Sequence, residues 1–178
     1  MASTRTSPSG RSNRPLRALF SAAKIRRRVR YLARRISREH RGEPPILVGV
    51  LRAGFMFVAD LARLLPGAEV EFVAASSYDD GRRSRGRVTL GPGPSARVKG
   101  RAVVIVDCVL DTGRTLRAVE HRLRRLGASP IRTCVLVRKP SRARATYVGF
   151  SGPRGFLVGY GLDLAHKYRT LSYIAVIS

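Results

Sequence analysis

Residues Arg101 to Leu116 read RAVVIVDCVLDTGRTL, and the reading of this stretch decides the fold class. Ala102 to Val106 is an unbroken apolar run, rich in β-branched residues and too short for most helices, which predicts a strand buried in a parallel sheet. Polarity then changes abruptly. Asp107 and Asp111 flank Cys108, Val109 and Leu110, and Thr112, Gly113, Arg114 and Thr115 form a small hydroxyl-rich loop. A helix is expected from about Thr115, because Leu116, Val119, Leu123 and Leu126 recur at helical spacing and Gly127 stands where a left-handed residue would stop it. Such a loop presents backbone N–H groups and threonine hydroxyls at the positive end of a helix, a setting that suits a phosphate monoester.

Carboxylates just before a phosphate cradle would repel a ligand that was phosphate alone. They fit one that also carries sugar hydroxyls, a divalent cation, or a centre that becomes positive during reaction, which together describe an activated sugar phosphate. The stretch resembles the signature with which type I phosphoribosyltransferases bind 5-phosphoribosyl-1-pyrophosphate (PRPP): two acids contact the ribose and a following D-T-G-K/R-T loop holds the 5-phosphate.

The resemblance extends along the chain and narrows to the hypoxanthine-guanine phosphoribosyltransferases of bacterial type. Pro45 to Leu65, PILVGVLRAGFMFVADLARLL, is similar to that family's first strand, its Leu-Lys/Arg-Gly loop and its second helix. Ser76-Ser77-Tyr78 matches the Ser-Tyr that starts the mobile catalytic loop. Leu136 to Arg142, LVRKPSR, resembles the segment with the purine-reading lysine. Phe156 to Asp163, FLVGYGLD, with Tyr168-Arg169 after it, is close to the base-stacking and pyrophosphate-binding segment.

The resemblance implies an α/β fold of the type I phosphoribosyltransferase kind, a mainly parallel sheet flanked by helices with a small C-terminal hood. It implies a purine-salvage enzyme that makes IMP or GMP from hypoxanthine or guanine and PRPP. Asp111 is then the general acid/base beside purine N7 and Asp107 the ribose partner, while Thr112, Gly113, Arg114 and Thr115 hold the 5-phosphate. Arg52, Ala53 and Arg169 take the pyrophosphate, for which a guanidinium fork is well shaped. Ser77 and Tyr78 belong to the mobile loop. Lys139 donates to the exocyclic O6, Phe156 stacks on the purine, and the Leu157 backbone and Asp163 complete the base site. Mg²⁺ is the implied cofactor, arriving mainly with PRPP and met by Asp163 through water and by Asp107. A homodimer or homotetramer is expected. Where the family has glycine after its Lys/Arg, this chain has Ala53, in a loop where the family often has a non-proline cis peptide.

One departure touches the PRPP motif. The family's adjacent acidic pair is here Asp107-Cys108, so the second ribose contact loses its carboxylate. If Cys108 occupies a ligand position, Cys108→Asp should tighten PRPP binding; if it is a packing residue, the site has been rebuilt around it.

Composition agrees with this reading. The 178 residues, 44% of them hydrophobic, suffice for one α/β domain with an adequate core. Cys108 and Cys134 both lie in apolar runs, so neither a disulfide framework nor a cysteine metal site is indicated, and a reducing cytoplasm is the simplest setting. The longest apolar runs fall far below the roughly 20 residues needed to span a bilayer, so no membrane span is expected. The net charge of +24 is mostly arginine, with Lys24, Lys99, Lys139 and Lys167 the only lysines. It reads as a solvated face, as an aid to capturing a polyanionic substrate, or as a footprint for nucleic acid bound non-specifically. The alternative function is accordingly a weakened or regulatory phosphoribosyltransferase-fold protein that binds RNA through this surface. A basic structural protein would leave the ordered ligand motifs unexplained.

Residues 1–17 form a Ser/Pro/Arg-rich leader expected to be disordered, with residues 18–178 as the domain. Its acid-poor character also fits an organellar transit peptide. Ile25, Val29, Leu32 and Ile36 mark an amphipathic helix over Ala22–Arg38. Strands are expected at 46–50, 70–75, 102–106, 131–137, 156–160 and 173–177, with helices at 54–65 and 115–126. This alternation predicts a mainly parallel sheet covered on both faces, with ligands at the C-terminal strand ends. Asp79 to Gly100, rich in Gly, Arg and Ser, is expected to be a lid or mobile loop.

Overall fold

The computed structural model describes residues 16–77, 88–94 and 96–177, and the apolar run of the opening motif lies at its centre. The elements in chain order are β1 (Arg17–Phe20), α1 (Ala22–Glu39), β2 (Ile46–Leu51), α2 (Phe55–Ala62), β3 (Val70–Ser77), β4 (Val88–Leu90), a 3₁₀ turn (Ala96–Val98), β5 (Val103–Leu110), α3 (Arg114–Arg125), β6 (Ile131–Arg138), β7 (Tyr147–Ser151), β8 (Phe156–Val158) and β9 (Ile174–Ile177). One sheet has the order β4-β3-β2-β5-β6-β7, parallel except for β4, which pairs antiparallel with β3.

The expected strand at 102–106 is longer than its apolar run. β5 continues to Leu110, with Asp107 opposite Val135 and Val109 opposite Val137 of β6, so the backbone ladder carries the chain past the change of polarity. α1 and α2 cover one face through Ile25, Val29, Leu32, Phe57 and Leu61, and α3 covers the other through Leu116, Val119 and Leu123. α1 begins at Ser21, whose hydroxyl accepts from the Lys24 N–H. α3 ends at Gly127 (φ 81°), where the Ala128 N–H reaches the Leu123 carbonyl at 3.1 Å, closing the helix end as its glycine predicts.

The C-terminal hood gains an N-terminal strand: β1 pairs with β9, which pairs with β8, in an antiparallel sheet of three strands. β1 begins at Arg17, and residues 1–15 lie outside the described part. Two expectations are corrected. The strand expected over 156–160 stops at Val158, because Gly159, Tyr160 and Gly161 all have positive φ. Within the expected lid, residues 79–87 and 95 lie outside the described part; of the remainder, β4 joins the sheet and Val98 is fully buried. No described helix is long and apolar enough to cross a membrane.

Candidate active site

The C-terminal ends of β2 and β5 open into a cleft of about 520 Å³, and six of the residues singled out by sequence meet there. Arg52, Ala53, Asp107, Thr115, Asp163 and Arg169 line it together with Ser76 and Val109. Four separate segments supply them. The loop after β2 crosses the turn after β8 at close quarters: a Cβ on Gly161 would collide with the Ala53 carbonyl oxygen, so glycine (φ 95°) is required at that crossing. The peptide bond between Leu51 and Arg52 is cis.

Asp107 is 8% exposed and is the one buried charged residue among the described core positions. Its carboxylate accepts a 2.7 Å hydrogen bond from the Cys108 N–H, yet burial dominates and pushes its pKa up to about 7. Asp163 is held from two sides, at 2.7 Å by the Arg169 guanidinium and at 2.9 Å by the His166 N–H. Arg169 also donates to the Gly161 carbonyl at 2.7 Å, which fixes the fork against the turn.

The loop after β5 departs slightly from its reading. α3 starts at Arg114 rather than Thr115, with Gly113 as its N-cap in the left-handed region (φ 76°). No side chain caps this end and no acid lies in the first turn, so the N-terminal N–H groups are open to an anion. Thr112 accepts a long 3.5 Å contact from the Arg114 N–H. Thr115 faces the cleft, whereas Gly113 lines a second one, of about 380 Å³, with Arg117, Ala143 and Thr146.

Asp111 and Lys139 are not in the cleft lining. Lys139 Nζ lies 3.7 Å from the Asp111 carboxylate, with the lysine side chain 15% and the aspartate 61% exposed. The Lys139 N–H donates to the Leu110 carbonyl at 2.9 Å, so the ends of β5 and β6 set this pair. Phe156, 51% exposed, offers an open ring, while the Leu157 side chain is buried in the core. β3 ends at Ser77, and Ser76 lines the cleft; Tyr78 lies outside the described residues.

Cys108 is not at a ligand position. It is fully buried on the face of β5 that packs with Val106, Cys134 and Tyr160, and its Sγ lies 3.8 Å from the Tyr160 carbonyl oxygen. Side chains alternate along a strand, so with Asp107 turned to the cleft its neighbour faces the core. The sequence reading missed the anchor behind the site: the Tyr160 hydroxyl donates at 2.6 Å to Asp60 on α2. Nothing in the spacing of Asp60 signals that contact.

Among the described residues no cluster of three or more His, Cys, Asp or Glu forms a metal cage. Two carboxylates, Asp107 and Asp163, do share the cleft. That donor set fits a cation such as Mg²⁺, which keeps waters and takes few protein ligands.

A model of the phosphoribosyl transferase domain matches residues 16–164. Hypoxanthine-guanine phosphoribosyltransferase of Mycobacterium tuberculosis is 37% identical over 170 residues, covering 89% of this chain and 84% of that protein. Hypoxanthine phosphoribosyltransferase of Escherichia coli K12 is 36% identical over 166 residues, covering 89% and 93%. The chain spans about a quarter of the bifunctional TilS/HprT protein of Listeria innocua (26%), at 35% identity. Among solved structures, a Bacillus anthracis hypoxanthine-guanine phosphoribosyltransferase superimposes with a TM-score of 0.83 at 32% identity, covering 93% of this chain and all of the other. Trypanosoma cruzi hypoxanthine phosphoribosyl transferase gives 0.84 at 32% identity, covering 93% of each chain.

Proposed function

The chain belongs to the phosphoribosyl transferase domain family, and we propose from this that it transfers the phosphoribosyl group of PRPP to hypoxanthine or guanine, releasing IMP or GMP and pyrophosphate. The observation that carries the proposal is the convergence of Arg52, Asp107, Thr115, Asp163 and Arg169 on one cleft; the Lys139–Asp111 pair, set by the ends of β5 and β6, supports it.

The residues divide the substrate between them. The Arg52 and Arg169 guanidinium groups and the Ala53 backbone take the pyrophosphate. Thr112, Gly113, Arg114 and Thr115, at the uncapped start of α3, take the 5-phosphate. As pyrophosphate departs, positive charge develops at the ribose, and the Asp107 carboxylate beside it is worth more then than in the ground state. Asp111 holds or takes the proton at purine N7. Lys139 donates to O6, Phe156 stacks on the ring and the Leu157 backbone bonds the base edge. Ser77 and Tyr78 would close over the substrate. Mg²⁺, met by Asp163 through water and by Asp107, would neutralise phosphate charge. A homodimer or homotetramer in the cytoplasm completes the reading.

The enzymatic reading is preferred to a regulatory one because Asp111, the acid such regulators usually lack, is present. Incubating the purified chain with Mg²⁺, PRPP and each base tests it. Hypoxanthine or guanine should be converted to its 5′-monophosphate, with adenine much poorer because its 6-amino donor faces the Lys139 donor. Absence of turnover with every 6-oxopurine at high PRPP would overturn the proposal.

A further inference from the structure

We propose that the outward stripe of α1, continued by the edge of β7, is a second binding surface, and that it takes single-stranded nucleic acid. Residues 24, 27, 28, 31, 34, 35 and 38 follow helical spacing on the side of α1 away from Ile25, Val29, Leu32 and Ile36. Lys24, Arg27, Arg34 and Arg38 are exposed there, with Arg28 and Arg35 half-buried. The single acid of α1, Glu39, is already engaged by Arg35 at 3.6 Å and by the Tyr147 hydroxyl at 2.7 Å. The stripe is therefore a cationic track along an 18-residue helix, about 27 Å long at ~1.5 Å per residue.

Charge alone would suit any polyanion. Aromatic rings among the cations make the choice. Tyr31 is 49% exposed in the middle of the stripe. The Arg28 guanidinium lies 5.4 Å from the Tyr31 ring and 5.1 Å from the Phe150 ring, and Phe150 stacks on Phe20 at 4.1 Å between centroids. Lys24, Arg27, Arg28, Tyr31 and Phe150 line a cleft of about 260 Å³ that shares no residue with the active cleft. A groove of cations interleaved with flat rings is how bases are stacked and a phosphate backbone is tracked without sequence preference. A duplex hides its base faces, and a second copy of this chain would bring cation against cation. The exposed cations run on along α1 from Lys24 to Arg38, about 21 Å at ~1.5 Å per residue, farther than one nucleotide reaches. The site lies outside the proposed reaction and would stand if that reaction were disproved.

The test is fluorescence anisotropy of the full chain with a labelled single-stranded RNA of mixed sequence, at low salt and along a salt series. Arg27→Glu/Arg34→Glu/Arg38→Glu should abolish binding and keep phosphoribosyl transfer. Lys99→Glu/Arg124→Glu/Arg125→Glu, exposed around α3 on the opposite face of the sheet and equal in charge change, should retain most of it. Tyr31→Ala should weaken binding roughly 5- to 150-fold, the range one stacked base supplies, and Tyr31→Phe should restore it. A milder triple, Arg27→Gln/Arg34→Gln/Arg38→Gln, should flatten the slope of log affinity against log salt by about 2, at ~0.7 per lost contact on a single strand. Equal losses in the two charge-reversed triples would overturn the proposal, because net charge alone would then be responsible. So would an unaffected Tyr31→Ala, displacement of the RNA by a free nucleoside monophosphate at the same concentration as by an oligomer, or tighter binding to phosphatidylglycerol vesicles than to RNA. If the reversed triple does not fold, the Tyr31 pair and the salt slope decide.

Discussion

The Tyr160 hydroxyl donates a 2.6 Å hydrogen bond to the Asp60 carboxylate, tying the turn that precedes Asp163 to helix α2. Tyr160 sits with φ 50° between two positive-φ glycines, in a backbone that does not hold itself straight. The bond fastens that turn where Ala53 and Gly161 cross. Tyr160→Phe should cost about 1.5 to 3 kcal/mol, as for a hydrogen bond to a charged group, and lower Tm by several degrees. If the turn positions Arg169 and Asp163, KM for PRPP should rise more than kcat falls. Thermal unfolding and steady-state kinetics measure both, and Asp60→Asn should reproduce the kinetic split.

Asp111 is exposed enough to meet a base, and its partner Lys139 is 3.7 Å away. Asp111→Asn keeps the shape but removes the proton acceptor. If Asp111 moves the N7 proton, kcat should fall roughly 10²- to 10⁴-fold, with PRPP binding less affected. Single-turnover measurements at saturating substrates would check it; near-normal kcat would remove Asp111 from that role.

Much of this was readable from the chain, and the misses have physical causes. The parallel strands declare themselves because burial on both faces demands continuous apolar runs such as Ile46–Val50. β1 does not: Arg17-Ala18-Leu19-Phe20 becomes a strand only by pairing with β9, at the far end of the chain. β4 has three residues, too few for a periodic signal. The segments that meet in the cleft were legible because Arg52, Asp107, Thr115, Asp163 and Arg169 stand in motifs whose residue types suit a sugar pyrophosphate. Motif position alone leaves Cys108 open between ligand and packing residue; two-residue alternation along β5 sets it opposite Asp107.

That alternation reverses the expected effect of Cys108→Asp. The thiol lies in the core against Tyr160, and burial pushes its pKa above the ordinary thiol range, a sign of how poorly a charge is tolerated there. A carboxylate placed there without a partner should cost on the order of 3 to 5 kcal/mol. Cys108→Asp should therefore lower stability sharply and leave PRPP affinity no better, whereas Cys108→Ala should fold and keep its kcat. Denaturant titration of both variants, with PRPP binding measured on the folded fraction, separates packing from ligation. A stable Cys108→Asp with tighter PRPP binding would return Cys108 to the ligand set.

The buried Asp107 carboxylate gives the ligand-free protein a defined pH response. Its pKa rises from 3.8 to about 7, chiefly through burial, so the folded state binds more protons than the unfolded chain between those values. Stability must then fall as pH rises through that window, because unfolding is linked to proton release. Below the unfolded value the carboxyl is neutral in both states and no cost is felt; above about 7 the cost is complete and constant. At ~1.36 kcal/mol per pH unit the full effect is at most about 4 kcal/mol. Asp107→Asn should cancel it, unfolding at nearly the wild-type denaturant midpoint at pH 4 and at a higher one at pH 8, while losing phosphoribosyl transfer. Parallel slopes for the two proteins across pH 4 to 7 would show that Asp107 is ionised throughout that range and that burial does not govern its charge.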